Sequence, residues 1–194
     1  GCYGDGGACF TNDKELAKNI REISIHGQNK RYSHSQIGLN GRLDTIQAAI
    51  LLAKLDLFDD EVKSRIKIGS RYTEQFKEKG FNETPFISDE NSSVYAQYTI
   101  KVNNRERVVE NMKKKGIPTS IHYPSLLPDQ NALKYYIPKN KKFLKNIFSK
   151  ITFKSYDLKN AREIASKVLS LPMHPNLSED NQNLVINSLM ESLN

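Results

Sequence analysis

The sequence predicts an α/β protein. Three observations carry that expectation: short apolar runs that stop at prolines, helical stretches that stop at glycines, and alternation of the two over most of the 194 residues. Hydrophobic residues at 38% and charged residues at 26% describe a globular chain rather than a disordered one.

The elements follow in order. Gly4-Asp5-Gly6-Gly7 is a glycine-rich turn, and Ala8 to Thr11 behind it has the apolar character of a short strand. Asn12-Asp13 supplies an N-cap, and Leu16, Ile20 and Ile23 place one apolar face on a helix from Glu15 to Ile23. His26 to Asn40 is polar, contains Gly27 and Gly38, and reads as a long loop of the kind that is functional or disordered. Leu43 to Phe58 is apolar on most sides, which predicts a helix whose first half is buried between layers. Beyond Asp59 the stripe thins to Val62, Ile66, Gly69, Tyr72 and Phe76. One helix is therefore expected to continue with a bend near Asp59-Asp60 and to end at a left-handed Gly80, with Phe81 as its apolar follower.

The remainder alternates. Tyr95 to Val102 alternates in polarity, Arg105 to Lys115 is helical with Gly116 as its stop, and Thr119 to Tyr123 is a strand ending at Pro124. Ala161 to Ser166 is helical, Val168 to Leu171 is a strand before Pro172, and Glu179 to Leu193 is an amphipathic helix. The Lys- and Tyr-rich stretch from Pro128 to Lys159 is expected to be a surface excursion.

Charge and cysteine usage narrow the function. Lys plus Arg number 29 against 22 acidic residues, for a net charge of +7. The basic residues gather at Lys113 to Lys115 and Lys139 to Lys154, without interleaved stacking aromatics or a nucleic-acid motif. A solvated Lys-rich surface explains them better than nucleic-acid binding, with a modest bias toward anionic small molecules. Cys2 and Cys9 are too few and too close for a disulfide framework, which favours a reducing cytoplasm. No apolar run approaches the roughly 18 residues of a membrane span. His26, His34 and His174 show no spacing that would build a metal site with the cysteines, so no metal is expected. Gly1 is not a methionine, and a glycine turn at that place reads as the middle of a structure.

Three places could carry chemistry. The glycines of Gly4 to Gly7 permit either a tight turn or close backbone approach to a ligand. Asn40 and Arg42 precede a long helix, where free backbone N–H groups, the helix dipole and a guanidinium favour an anion. Equally, Asn40 could cap the helix while Arg42 pairs with Asp44. His122-Tyr123-Pro124 stands at a strand end, where the two side chains could line a site or simply pack.

Taken in order, Gly1 to Ala8, Thr11-Asn12-Asp13, His26-Gly27, Gly38 to Asp44 with Gln47-Ala48-Ala49, His122-Tyr123-Pro124 and Leu169 to Pro175 resemble the second half of the DegT/DnrJ/EryC1/StrS aminotransferases. The resemblance spans almost the whole chain. It is strongest to the bacterial enzymes that aminate C3 of a UDP-linked 3-keto-hexuronic acid for O-antigen sugars. It implies the C-terminal part of the type I fold of pyridoxal phosphate enzymes. Residues 1–58 would be the end of the large, cofactor-binding domain, and 59–194 a small C-terminal α/β domain.

The resemblance further implies a cytoplasmic homodimer with active sites shared across the interface. Pyridoxal 5'-phosphate is the implied cofactor, with a UDP-sugar and glutamate as substrates and neither nucleic acid nor membrane as partner. The lysine that forms the Schiff base would lie two or three residues before Gly1, and Lys14 cannot replace it. By position, Asn40 would reach the cofactor phosphate of the neighbouring subunit. Arg42 would meet the sugar carboxylate or diphosphate, and His122 and Tyr123 would line the sugar pocket. The chain alone would then be inert, and its 43–58 stretch would show an apolar face. A sugar dehydratase of the same family, with histidine for the lysine, and a basic binding module without catalysis are the alternative readings.

Overall fold

Asp13 fixes the first helix. Its Oδ1 accepts the backbone N–H groups of Glu15 at 2.9 Å and Leu16 at 3.0 Å, two donors that a helix start otherwise leaves without partners. Helix α1 (Lys14–Ser24) follows in this computed structural model, which describes residues 1–131 and 157–193. Strands β1 (Gln28–Lys30) and β2 (Ser33–His34) form a small antiparallel hairpin, then come α2 (Thr45–Leu55) and α3 (Phe58–Glu78). Most of the Pro128 to Lys159 excursion lies outside the described residues. The fold divides into two units, Gly1–Asp60 and Glu61–Asn194.

Several expectations for the first unit are corrected. Ala8 to Thr11 forms no strand: all four residues are exposed, and no described strand lies beside them to complete a ladder. The His26 to Asn40 stretch is not a plain loop, since it holds the β1–β2 hairpin. The long helix breaks at Asp56 and Leu57 rather than bending at Asp59-Asp60. There the backbone N–H groups of both residues turn back to the Lys54 carbonyl, which tightens the last turn of α2 before α3 restarts. Leu43 to Phe58 is not buried between layers in this chain but shows the apolar face expected of the chain alone. Ile46, Leu52, Leu55, Leu57 and Phe58 are all more than half exposed, because no described layer covers α2.

The second unit is built on β3 (Tyr98–Lys101) and β4 (Val168–Leu171), paired antiparallel from Tyr98 opposite Leu171 to Lys101 opposite Val168. Every residue of β4 is buried. The expected Thr119 to Tyr123 strand reduces to one bridge, Ser120 opposite Ser170. Pro124, with no N–H to donate, closes off further pairing. Helices α4 (Arg105–Lys114), α5 (Lys159–Lys167) and α6 (Glu179–Leu193) surround the pair.

Gly80, at φ +80°, lets Phe81 N–H return to the Phe76 carbonyl at 2.9 Å, and the Phe81 ring meets that of Phe76 edge-on at 5.4 Å. The helix stop expected at Gly80 is therefore present with its apolar follower in place.

Aromatic packing fills the centre. Tyr72 lies 4.8 Å from Tyr98 and 5.8 Å from Phe76, and all three are fully buried. Such pairs contribute about 0.5–1.5 kcal/mol each beyond the area they bury. Their hydroxyls are satisfied: Tyr72 donates to the Pro172 carbonyl at 3.0 Å, and Tyr98 shares a hydrogen bond of 2.8 Å with Thr73. Gln182 and Arg71 join α3 to α6. Gln182 Nε2 donates to the Ile68 carbonyl, and Arg71 donates to Gln182 and Asn183, each at 2.7 Å. Buried Arg105 donates to the Ala165 and Val168 carbonyls at the end of α5.

Burial raises the Tyr72 and Tyr98 phenols well above the ordinary tyrosine range. In the unfolded chain both would ionise near pH 10. Their contribution to stability is therefore complete below that pH and is lost as the pH climbs toward the raised folded values. An ultraviolet titration of the nine tyrosines should show these two ionising only together with loss of the circular-dichroism signal. Ionisation in a still-folded chain would contradict it.

Candidate functional site

Asn40 owes its position to the end of α1. His26 N–H donates to the Leu39 carbonyl, Leu39 N–H to the Ile23 carbonyl and Gly41 N–H to the Ser24 carbonyl, all within 2.9 Å. Asn40 thereby bridges Ile25. Glu22 ties down the intervening residues, accepting from Ser35 Oγ at 3.2 Å and Gln36 Nε2 at 3.1 Å. This closeness needs glycine: a Cβ on Gly38 would lie 2.1 Å from the Gly27 nitrogen, and one on Gly27 only 1.7 Å from the Gln36 carbonyl oxygen. The polar stretch is thus an ordered clasp, and its glycines are spacers between backbones.

Asn40 and Arg42 meet. Arg42 Nε donates to Asn40 Oδ1 at 3.0 Å, so Arg42 neither pairs with Asp44 nor leaves Asn40 to cap the helix. Asp44 is the N-cap of α2 and makes no side-chain capping bond. The Asn40 amide nitrogen and the terminal guanidinium nitrogens of Arg42 remain without partners among the described residues, on exposed side chains. With the unpaired N–H groups of the first turn of α2, they form a donor set suited to phosphate or carboxylate.

The glycine turn is held by a residue whose role the sequence did not reveal. Gln47, in the first turn of α2, accepts Tyr3 N–H at 2.8 Å and donates its amide to the Tyr3 carbonyl. Two helical turns on, Lys54 Nζ donates to the Gly1 carbonyl at 2.9 Å and sits 5.4 Å from the Tyr3 ring centre. The seven-residue spacing of Gln47 and Lys54, which places both on one helix face, is the signal that could have found them.

In the second unit His122 and Tyr123 lie side by side, ring centres 5.5 Å apart and nearly perpendicular. Tyr123 is 72% exposed, so it is not a packing residue within this chain. His122 is half-buried, and its Nδ1 is 2.9 Å from Ser170 Oγ. Asn40 with Arg42 and His122 with Tyr123 thus form two pairs, one in each unit. Among the described residues no cluster of three or more His, Cys, Asp or Glu could hold a metal ion, and no helix is long and apolar enough to cross a membrane.

The sequence profile of the DegT/DnrJ/EryC1/StrS aminotransferase family matches residues 2–190. The chain belongs to this family. Among curated members it is similar to UDP-2-acetamido-2-deoxy-3-oxo-D-glucuronate aminotransferase of Pseudomonas aeruginosa, 46% identical over 91% of this chain and 44% of that protein. Among solved structures, a DegT DnrJ EryC1 StrS aminotransferase from Brucella abortus superposes with a TM-score of 0.82 at 37% identity. It covers all of this chain and 48% of that one. S. venezuelae DesV, in complex with a ketimine intermediate, gives a TM-score of 0.81 at 29% identity, over 98% of this chain and 47% of that one. The chain spans about half the length of the curated relatives it matches. The fold is accordingly a C-terminal part of the aminotransferase fold of this family.

If the glycine pairing positions Asn40, Gly38→Ala should disturb it. Overpacking of this kind costs about 1–3 kcal/mol. Hydrogen exchange should then show the Leu39 and Gly41 amides opening roughly ten- to a hundredfold faster, with the amides of β3 and β4 unchanged. Unaltered Leu39 and Gly41 protection would refute the clasp.

Proposed function

We propose that the protein to which this chain belongs transfers an amino group from glutamate to a nucleotide-linked keto-sugar, with a UDP-3-keto-hexuronic acid as acceptor. Pyridoxal 5'-phosphate is its cofactor and cell-surface polysaccharide its pathway. It works in the cytoplasm as a homodimer whose active sites are shared between subunits. The observation that carries this reading is the Asn40–Arg42 pair ahead of α2, a donor set that matches dianionic phosphate and carboxylate chemistry. Similarity to the Pseudomonas aeruginosa enzyme favours a UDP-linked 3-keto sugar acid among the acceptors this family uses.

The cofactor, when bound, supplies an electron sink that lets nitrogen move between amino acid and sugar. The work of this chain's residues is positional. Asn40 donates its amide to the cofactor phosphate, and Arg42 meets the substrate carboxylate or diphosphate. Because Arg42 Nε is already committed to Asn40, the two side chains are pre-oriented as a unit, which lowers the entropy lost on binding. His122 and Tyr123 line the sugar pocket, offering ring nitrogens and a phenol to sugar oxygens.

The full-length protein tests this. Pyridoxal phosphate should give it an absorption band that moves to that of the amine form on addition of glutamate, and no cofactor binding at all would overturn the reading. Arg42→Ala should leave this glutamate response intact while weakening the UDP-sugar by about ten- to a hundredfold, the weight of one charged hydrogen bond. An unchanged KM for the sugar in that variant would remove Arg42 from the site.

A further inference from the structure

Ser170 is 4% exposed, the third residue of the fully buried strand β4. Its backbone is committed on one side to Ser120, accepting at 3.1 Å and donating at 2.7 Å. Its hydroxyl has two neighbours: Thr99 Oγ1 at 2.8 Å, directly opposite on β3, and His122 Nδ1 at 2.9 Å. Three side chains from three segments thus form one line of hydrogen bonds, ending on the imidazole placed in the sugar pocket above.

Each hydroxyl has a single hydrogen, so Ser170 donates to Nδ1, to Thr99 or to neither. The last leaves its buried hydrogen without an acceptor among the described residues, so two directions remain. In one, Thr99 donates to Ser170, Ser170 donates to Nδ1, and His122 carries its proton on Nε2. In the other, Nδ1–H donates to Ser170 and Ser170 to Thr99, which leaves the Thr99 hydrogen without an acceptor among the described residues. The first direction places every hydroxyl hydrogen in a bond, so it is favoured. Nε2, on the far side of the ring, has no partner among the described residues.

We propose that Thr99 and Ser170 are positioning residues that fix the ring and tautomer of His122, so that it presents Nε2–H as a hydrogen-bond donor. Its functional meaning rests on the reading that His122 faces the sugar nucleotide. Nε2–H then recognises an acceptor oxygen, whether carbonyl, carboxylate or phosphate, and the neutral ring does not act as a base through that nitrogen. A hydrogen bond to one ring nitrogen, which sets the nitrogen that carries the proton, is a general means of tuning histidine.

The test uses the chain with its four histidines labelled with ¹⁵N, at a pH where all are neutral, and His122→Gln to assign the signal. Two-bond ¹H–¹⁵N spectra distinguish the tautomers. Wild type should show His122 as the Nε2–H form alone. Thr99→Val, nearly isosteric, removes the donor that orients Ser170 and should lower the preference for that form about tenfold, the weight of one hydrogen bond. Thr99→Ser should restore it. A wild-type His122 protonated on Nδ1 overturns the proposal whether or not any variant folds, as does a Thr99→Val spectrum that keeps the wild-type tautomer. The measurement needs neither cofactor nor sugar, so its failure is distinguishable from failure of the proposed function.

Discussion

The second unit depends on the double pairing of β4. Val168 to Leu171 hydrogen-bonds along its length with β3, while Ser170 also bonds both ways with Ser120 on the other edge. Buried on all sides, this strand must have each polar backbone group matched, because an orphaned one would cost about 1–3 kcal/mol. The aromatic centre of Tyr72, Phe76 and Tyr98 packs beside it, and Arg105 satisfies carbonyls where α5 runs into it. The segment carrying His122 departs two residues beyond the Ser120 bridge, so the position of that histidine derives from the sheet.

The first unit solves a different problem with different means. None of its described residues belongs to the buried hydrophobic core, and its order comes from short-range backbone contacts and capping. Asp13 starts α1, the end of α1 holds Leu39 and Gly41, and Asn40 is set between them. The apolar side chains of α2 stand outward, while Gln47 and Lys54 on the same helix reach back to the first residues. Polar local bonds thus define the arrangement of Asn40 and Arg42 without a core beneath them.

Much of this was legible from residue spacing. Asn12-Asp13, Gly80 and Gly116 announced helix ends because capping is a local event, decided within a few residues. The apolar strand Val168 to Leu171 was legible for the same reason. Ala8 to Thr11 misled, because an apolar run says nothing about whether a partner strand exists. His26 to Asn40 misled in the opposite way: its order is encoded in two glycines eleven residues apart, which only the fold brings together. Asn40, Arg42, His122 and Tyr123 stood out through an ordered resemblance. Gln47 and Ser170 lay in the same resemblance without a role, since a glutamine in a helix and a serine in a strand carry no chemistry until their neighbours are known.

The attachment of the first residues to α2 is chemically uneven. At Tyr3 the Gln47 amide makes a neutral, reciprocal pair, which dissolved ions hardly weaken. At Gly1 the hold is a single exposed ammonium, Lys54, also resting near an aromatic ring, and its electrostatic part is screened as ionic strength rises. The segment is therefore a strap with two unlike stitches: added salt loosens the one at Gly1, while the neutral one at Tyr3 holds.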